Sequence, residues 1–170
     1  TSYRMLQAVY DEVRPILDAN NIPCLRQGED ERSRLLTSFR DRVSSVLLAT
    51  DSFWEGVDTP GSSLEVVVLC RLPFGVPTHP VSVSRAEAIE RRGGNPFMEL
   101  SLPDAVVRFK QGFGRLMRRG SDRGVVVVTD PRITRKQYGS LFTSSLPKTR
   151  REDAASDILL ERIERFYFSG

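Results

Sequence analysis

The chain has 170 residues, 39% hydrophobic and 28% charged, the balance of a single globular domain able to bury roughly 68–70% of its unfolded surface. No apolar run approaches the roughly 20 residues of a membrane span, and no stretch reads as a signal peptide. The net charge of +3 conceals an asymmetry, since residues 1–102 carry 11 basic and 14 acidic side chains whereas residues 103–170 carry 14 and 8.

In chain order, residues 5–20 have helical spacing, with Leu6, Val9, Val13, Ile16 and Leu17 on one side. A short strand is expected at 22–25 and a second helix at 31–41. The run 45–50 reads as a buried parallel strand that empties into a loop at 51–61. Strands follow at 64–70 and 124–129. Between them lie a stretch broken by Pro73, Pro77 and Pro80, a helix at 83–92, a Gly93-Gly94 break and a helix rich in arginine. The tail at 152–168 reads as a final amphipathic helix. Strands alternating with helices imply an α/β domain whose parallel sheet carries helices on both faces.

Cys24 and Cys70 lie far apart with no CxxC spacing or histidine partner, so neither a metal site nor a disulfide framework is expected, and both are read as buried thiols in a reducing compartment. Only Lys110, Lys136 and Lys148 among the 25 basic residues are lysines, and no GxxxxGK phosphate loop occurs. Phosphate chemistry would therefore rest on arginine. The arginine helix divides into two faces, with Val106, Phe109, Phe113, Leu116 and Met117 on one and Arg108, Gln111, Arg115 and Arg118 on the other. Forked guanidinium groups side by side suit a polyphosphate. A plainer account remains for Arg118 and Arg119, which precede Gly120 where cations favour a helix end. It does not cover Gly112 and Gly114, each costing about 1 kcal/mol inside a helix, which the sequence places on the outer face where a ligand approaches.

Ligands of open parallel sheets bind beyond the carboxyl ends of the strands. There the segment from Thr50 to Gly61 offers Asp51, Glu55 and Asp58, the hydroxyls of Ser52 and Thr59, and two glycines, a set suited to ribose and phosphate. Asp58 as a turn cap before Pro60 and Trp54 as a core aromatic remain the alternatives. Asp130-Pro131-Arg132 occupies the equivalent rim after the last strand. His79 lacks a nucleophile or orienting partner nearby and is given no chemistry.

Taken together, ATDSFWEGVDTPG from Ala49, Arg71-Leu72-Pro73-Phe74, Leu102-Pro103-Asp104-Ala105 running into QGFGRLMRR, GVVVVTDPR and the stretch from Tyr138-Gly139 to Ser145-Leu146-Pro147 resemble the second helicase domain of the DinG/XPD-like superfamily 2 helicases, with DinG the nearer branch. The resemblance implies that residues 1–170 form one RecA-like helicase C-terminal domain, a three-layer fold of the phosphate-loop NTPase type. It implies that Ser2 and Tyr3 are the tail of motif IV, near the nucleic-acid backbone. Thr50 to Asp58 would be motif V, with Thr50, Asp51 and Ser52 toward nucleic acid and Glu55, Gly56 and Asp58 toward nucleotide. Gln111, Gly114, Arg115 and Arg118 match motif VI, QxxGRxxR, with Gln111 and Gly114 at the nucleotide and Arg115 and Arg118 as arginine fingers.

In that family ATP and Mg²⁺ are held by the phosphate loop and acidic motif of a first RecA-like domain, which in many members also holds an iron–sulfur cluster. This chain carries none of those parts. The resemblance thus implies a motor half of an ATP-dependent helicase, inactive alone, partnered by that first domain and by single-stranded or forked DNA with 5′ to 3′ unwinding, in repair or replication in a bacterial cytoplasm and away from membranes. From another class, a non-catalytic nucleic-acid-binding module would use the basic second half to track phosphates. A nucleotide-sensing regulatory domain is disfavoured by the lack of an autonomous phosphate loop.

Overall fold

Ser2 stands in extended backbone before the first helix, and its side-chain oxygen accepts from the Met5 N–H at 3.3 Å, satisfying one of the amides that a helix start leaves unpaired. The computed structural model describes residues 2–54, 64–75, 79–116 and 123–168, with Ser52, Trp54, Arg115 and Leu116 described by their backbone alone. From this cap the chain runs through α1 (Tyr3–Ala19), β1 (Cys24–Arg26), α2 (Arg32–Asp41), β2 (Val46–Leu48), β3 (Val66–Leu69), α3 (Pro80–Arg91), α4 (Leu102–Leu116), β4 (Val125–Val128), α5 (Arg132–Arg135), α6 (Gly139–Ser144) and α7 (Ser156–Phe168). A turn of 3-10 helix, Asp51–Trp54, follows β2, and a π-helical turn, Phe97–Ser101, leads into α4.

Every element expected from periodicity is present, with altered ends. α3 begins at Pro80 because proline is tolerated in a helix's first turn, where its missing N–H has no helical acceptor to lose. It stops at Gly93, whose φ of +77° is the left-handed conformation that ends helices. On α1, Leu6 and Tyr10 are buried while Ile16, expected on the same stripe, is 65% exposed. The π-helical turn and the short helices α5 and α6 have no long apolar period to announce them.

The strands pair in parallel, but as two separate sheets. Cys24 lies opposite Val46 in the β1–β2 pair, and Val66 opposite Val125 in the β3–β4 pair. The continuous sheet expected from the strand pattern is thus seen only pairwise among the described residues. A cleft of about 190 Å³ lies between β2 and β3, lined by Leu47, Leu48, Val66 and Val68 together with Phe53 and Gly112. Alternation along β3 explains its lining, since Leu69 turns into the core while Val66 and Val68 remain 41% and 55% exposed.

Leu69, Leu72, Leu102, Ala105, Phe109 and Phe142 form the larger core. Phe109 meets Phe142 edge to face at a centroid distance of 5.4 Å, and Phe74 meets Phe142 at 5.8 Å, geometries that aromatic quadrupoles favour. Beside this core Asp130, 5% exposed, accepts from the Leu72 N–H at 2.8 Å, the Arg132 N–H at 3.0 Å and the Arg132 guanidinium at 2.6 Å. Burial pushes the carboxyl upward, but the hydrogen bonds from Arg132 and the Leu72 amide outweigh it and hold its pKa at about 2. Arg132 in turn lies over the Phe74 ring at 5.2 Å.

A Cβ on Gly139 would strike the Ile133 carbonyl, which is backbone and cannot step aside, whereas one on Gly114 meets nothing within 4 Å. Gly139→Ala should therefore lose about 1–3 kcal/mol in urea unfolding, and Gly114→Ala, at an exposed helical position, should gain about 0.5–1 kcal/mol. Because the folded pKa of Asp130 lies below its ordinary 3.8, its contribution is complete above about pH 4 and is lost as the pH falls toward 2. Comparing Asp130→Asn with the parent chain across that window should reveal about 2 kcal/mol of pH-dependent stability that the variant lacks.

Candidate nucleotide and nucleic-acid interface

The arginine helix is two-sided. Leu102, Ala105, Phe109 and Phe113 are buried at helical spacing, and Val106 packs beside them, while Arg108, Lys110, Gln111 and Gly114 are exposed on the other side. Arg115 lies in the last turn of α4, seven residues after Arg108, a spacing that sets the two backbone positions on the same side of the helix. Arg118 and Met117 lie outside the described residues, as do Glu55, Gly56 and Asp58.

The two helix glycines separate. Gly112 is buried and borders the cleft between β2 and β3, on the inward side of α4. That corrects its placement on the outer face. Gly114 is exposed, with open space where a side chain would stand. No packing within the described chain requires glycine there.

Among the described residues an ion pair lies between α4 and the turn after β2. Asp51, in the turn just after β2, lies 3.6 Å from the Arg108 guanidinium, with the two side chains 29% and 43% exposed. The same guanidinium lies 3.4 Å from where a Cβ on Gly75 would stand, an ordinary contact distance. A half-exposed pair contributes between zero and about 1 kcal/mol, which makes it a means of alignment more than of stability.

Around the end of the β1–β2 sheet, the residues expected near nucleic acid adopt distinct environments. Ser2 caps α1 with its hydroxyl and stays exposed. Tyr3 is 63% exposed, and its phenol oxygen accepts from Gln27 Nε2 at 2.9 Å. Thr50 is 4% exposed, with its N–H and hydroxyl donating to Gln27 Oε1 at 2.8 and 3.0 Å. Ser52 lies within the 3-10 turn. Gln27 thus joins Tyr3 to Thr50, although motif reading passes over it. Its position one residue beyond β1, at the carboxyl edge where parallel sheets bind ligands, is the signal that could have found it. Among the described residues no group of three or more His, Cys, Asp or Glu side chains is placed to hold a metal ion, and no helix is long and apolar enough to cross a membrane.

Parallel strands with intervening helices define an α/β domain with polar residues at its strand ends. The chain belongs to the helicase C-terminal domain family, which matches residues 1–149. It is 42% identical over 151 residues to the 3'-5' exonuclease DinG of Bacillus subtilis strain 168, covering 88% of this chain and 16% of that protein. It is likewise 42% identical over 151 residues to the ATP-dependent DNA helicase YoaA of Escherichia coli K12, covering 89% and 23%. The ATP-dependent DNA helicase DinG of Photobacterium profundum is 42% identical over 155 residues, covering 89% and 22%. The chain therefore spans less than a quarter of the length of these relatives.

The two faces of α4 should respond differently to truncation. Phe109→Ala should cost about 3–5 kcal/mol in urea unfolding, whereas Arg108→Ala, one residue earlier, should cost less than about 1 kcal/mol.

Proposed function

We propose that this chain is the second motor domain of an ATP-dependent DNA helicase, and that its arginines complete a nucleotide site whose phosphate loop and Mg²⁺ belong to a first RecA-like domain. The observation that carries the reading is the exposed row of Arg108, Gln111 and Gly114 on a helix whose opposite side is anchored by Phe109. Two relatives support it, since YoaA and the Photobacterium DinG are ATP-dependent DNA helicases.

In this reading Arg115 and Arg118 are the fingers. Charge spreads over the γ-phosphoryl oxygens as the phosphoryl group departs, and a held guanidinium neutralises it without reorganising solvent. Gln111, Gly114, Glu55, Gly56 and Asp58 form the rest of this chain's wall toward the nucleotide. Ser2, Tyr3, Thr50, Asp51 and Ser52 line the groove for single-stranded DNA. The paired sheets are two parts of a three-layer RecA-like domain, and closure of the two motor domains on ATP, followed by reopening, moves the strand.

The test uses the whole protein. Arg118→Ala should lower the kcat of DNA-stimulated ATP hydrolysis by about 10³-fold or more while leaving the KM for ATP within a few-fold of the parent. An unchanged kcat would remove the finger assignment. The isolated 170-residue chain should hydrolyse no ATP with or without DNA.

A further inference from the structure

We infer that Gln27 is the positioning residue of the nucleic-acid edge, and that it orients the Tyr3 hydroxyl as a donor to a phosphodiester oxygen of single-stranded DNA. The inference rests on the proposed helicase reading for its ligand and on the geometry of one amide for its mechanism.

Gln27 begins from a fixed backbone. Its N–H donates to the Leu48 carbonyl at 2.9 Å, extending the β1–β2 ladder by one residue. At the next residue, Gly28, the chain turns with a φ of +98°, a conformation glycine adopts without strain. The side chain then engages both neighbours. Thr50 presents a backbone N–H, which can only donate, so the amide oxygen must face it and the amide nitrogen must face Tyr3. The orientation of the amide is therefore set by chemistry.

That orientation decides what Tyr3 offers. Its phenol oxygen already accepts from Gln27, and its own proton has no acceptor among the described residues, so the hydroxyl is left as a donor on a side chain that is 63% exposed. Beside it opens a cavity of about 300 Å³ bounded by Tyr3, Gln27, Gly28, Asp30, Arg32 and Phe53. Its walls are tied. Arg32 donates to the Phe53 carbonyl at 3.0 Å and stands 5.2 Å from that ring, and Asp30 lies 3.7 Å from Arg34. A hydroxyl donor held at such a rim suits a phosphate oxygen, the commonest polar contact a nucleic-acid backbone accepts.

Two variants of the whole protein test this. Gln27→Met keeps the length of the side chain and removes both polar ends, and Tyr3→Phe removes only the hydroxyl. Their Kd for a fluorescent oligothymidylate, the KM for ATP and the Tm are measured beside the parent. Gln27→Met and Tyr3→Phe should each weaken oligothymidylate binding about threefold, the loss of the one neutral hydrogen bond they share, with KM for ATP within twofold. An unchanged Kd in Gln27→Met would overturn the proposal. So would a Kd and KM that worsen together with a fall in Tm, because that is the signature of a merely structural contact. A weakened Gln27→Met beside an unaffected Tyr3→Phe would overturn the donor role of Tyr3. A parent that binds the oligothymidylate without DNA-stimulated ATP turnover would defeat the helicase reading and leave Gln27 to be judged on Kd alone. A parent that binds no oligothymidylate would overturn both.

Discussion

The larger half of this domain depends on a single buried carboxylate. Asp130 follows β4, yet it accepts from the Leu72 amide beyond the end of β3 and from the backbone and guanidinium of Arg132. A parallel pair leaves its two strands running outward at the same edge, and nothing in the ladder itself says where the chains go next. Asp130 supplies that constraint. By fixing Arg132 over Phe74 it also sets the aromatic group of Phe74, Tyr138 and Phe142 on which Phe109 of α4 rests. The outward face of α4 is thus aimed from the end of β4.

The smaller sheet uses the same device with an amide in place of the acid. Gln27, one residue past β1, accepts from Thr50, two residues past β2. In both sheets a polar side chain just beyond one strand grips the backbone just beyond its neighbour. The choice of residue matters. Asp130 faces only donors and is well served by a carboxylate, whereas Gln27 faces donors on one side and a phenol oxygen on the other, which an amide meets in full. Both grips lie at the carboxyl edge, where loops carry function on a rigid support.

How much of this was legible in sequence depends on the length of the signal. The amphipathic helices α1 and α4 and the valine-rich strands were legible because each repeats one period over several residues, and four of their buried positions, Leu6, Phe109, Phe113 and Leu69, follow from that period. The π-helical turn, α5 and α6 were not, because four to six residues hold too little periodicity. The division into two sheets was hidden too, since a valine run announces a strand and not its partner. In the site, motif spacing marked the exposed row of α4 but set Gly112 on the wrong side, because spacing alone cannot tell an inward glycine from an outward one. Gln27 escaped for another reason. Its partners lie 24 and 23 residues away, and no local pattern links them.

The ion pair between α4 and the turn after β2 is a weak one. Asp51 and Arg108 are half-exposed and 3.6 Å apart, so their attraction is screened by water and salt. A tighter, buried pair would hold α4 to the turn after β2 more firmly, but it would also remove Arg108 from the exposed row and spend its charge on the protein itself. Phe109 and Phe142, each no more than 1% exposed, already fix the helix by packing, which needs no charge. In the proposed helicase reading, apolar contacts on one side of α4 thus hold Arg108 in place and leave most of its charge for a phosphate on the other. Separating rigidity from charge in this way is what a guanidinium needs if it is to meet a transition state in place and incompletely neutralised.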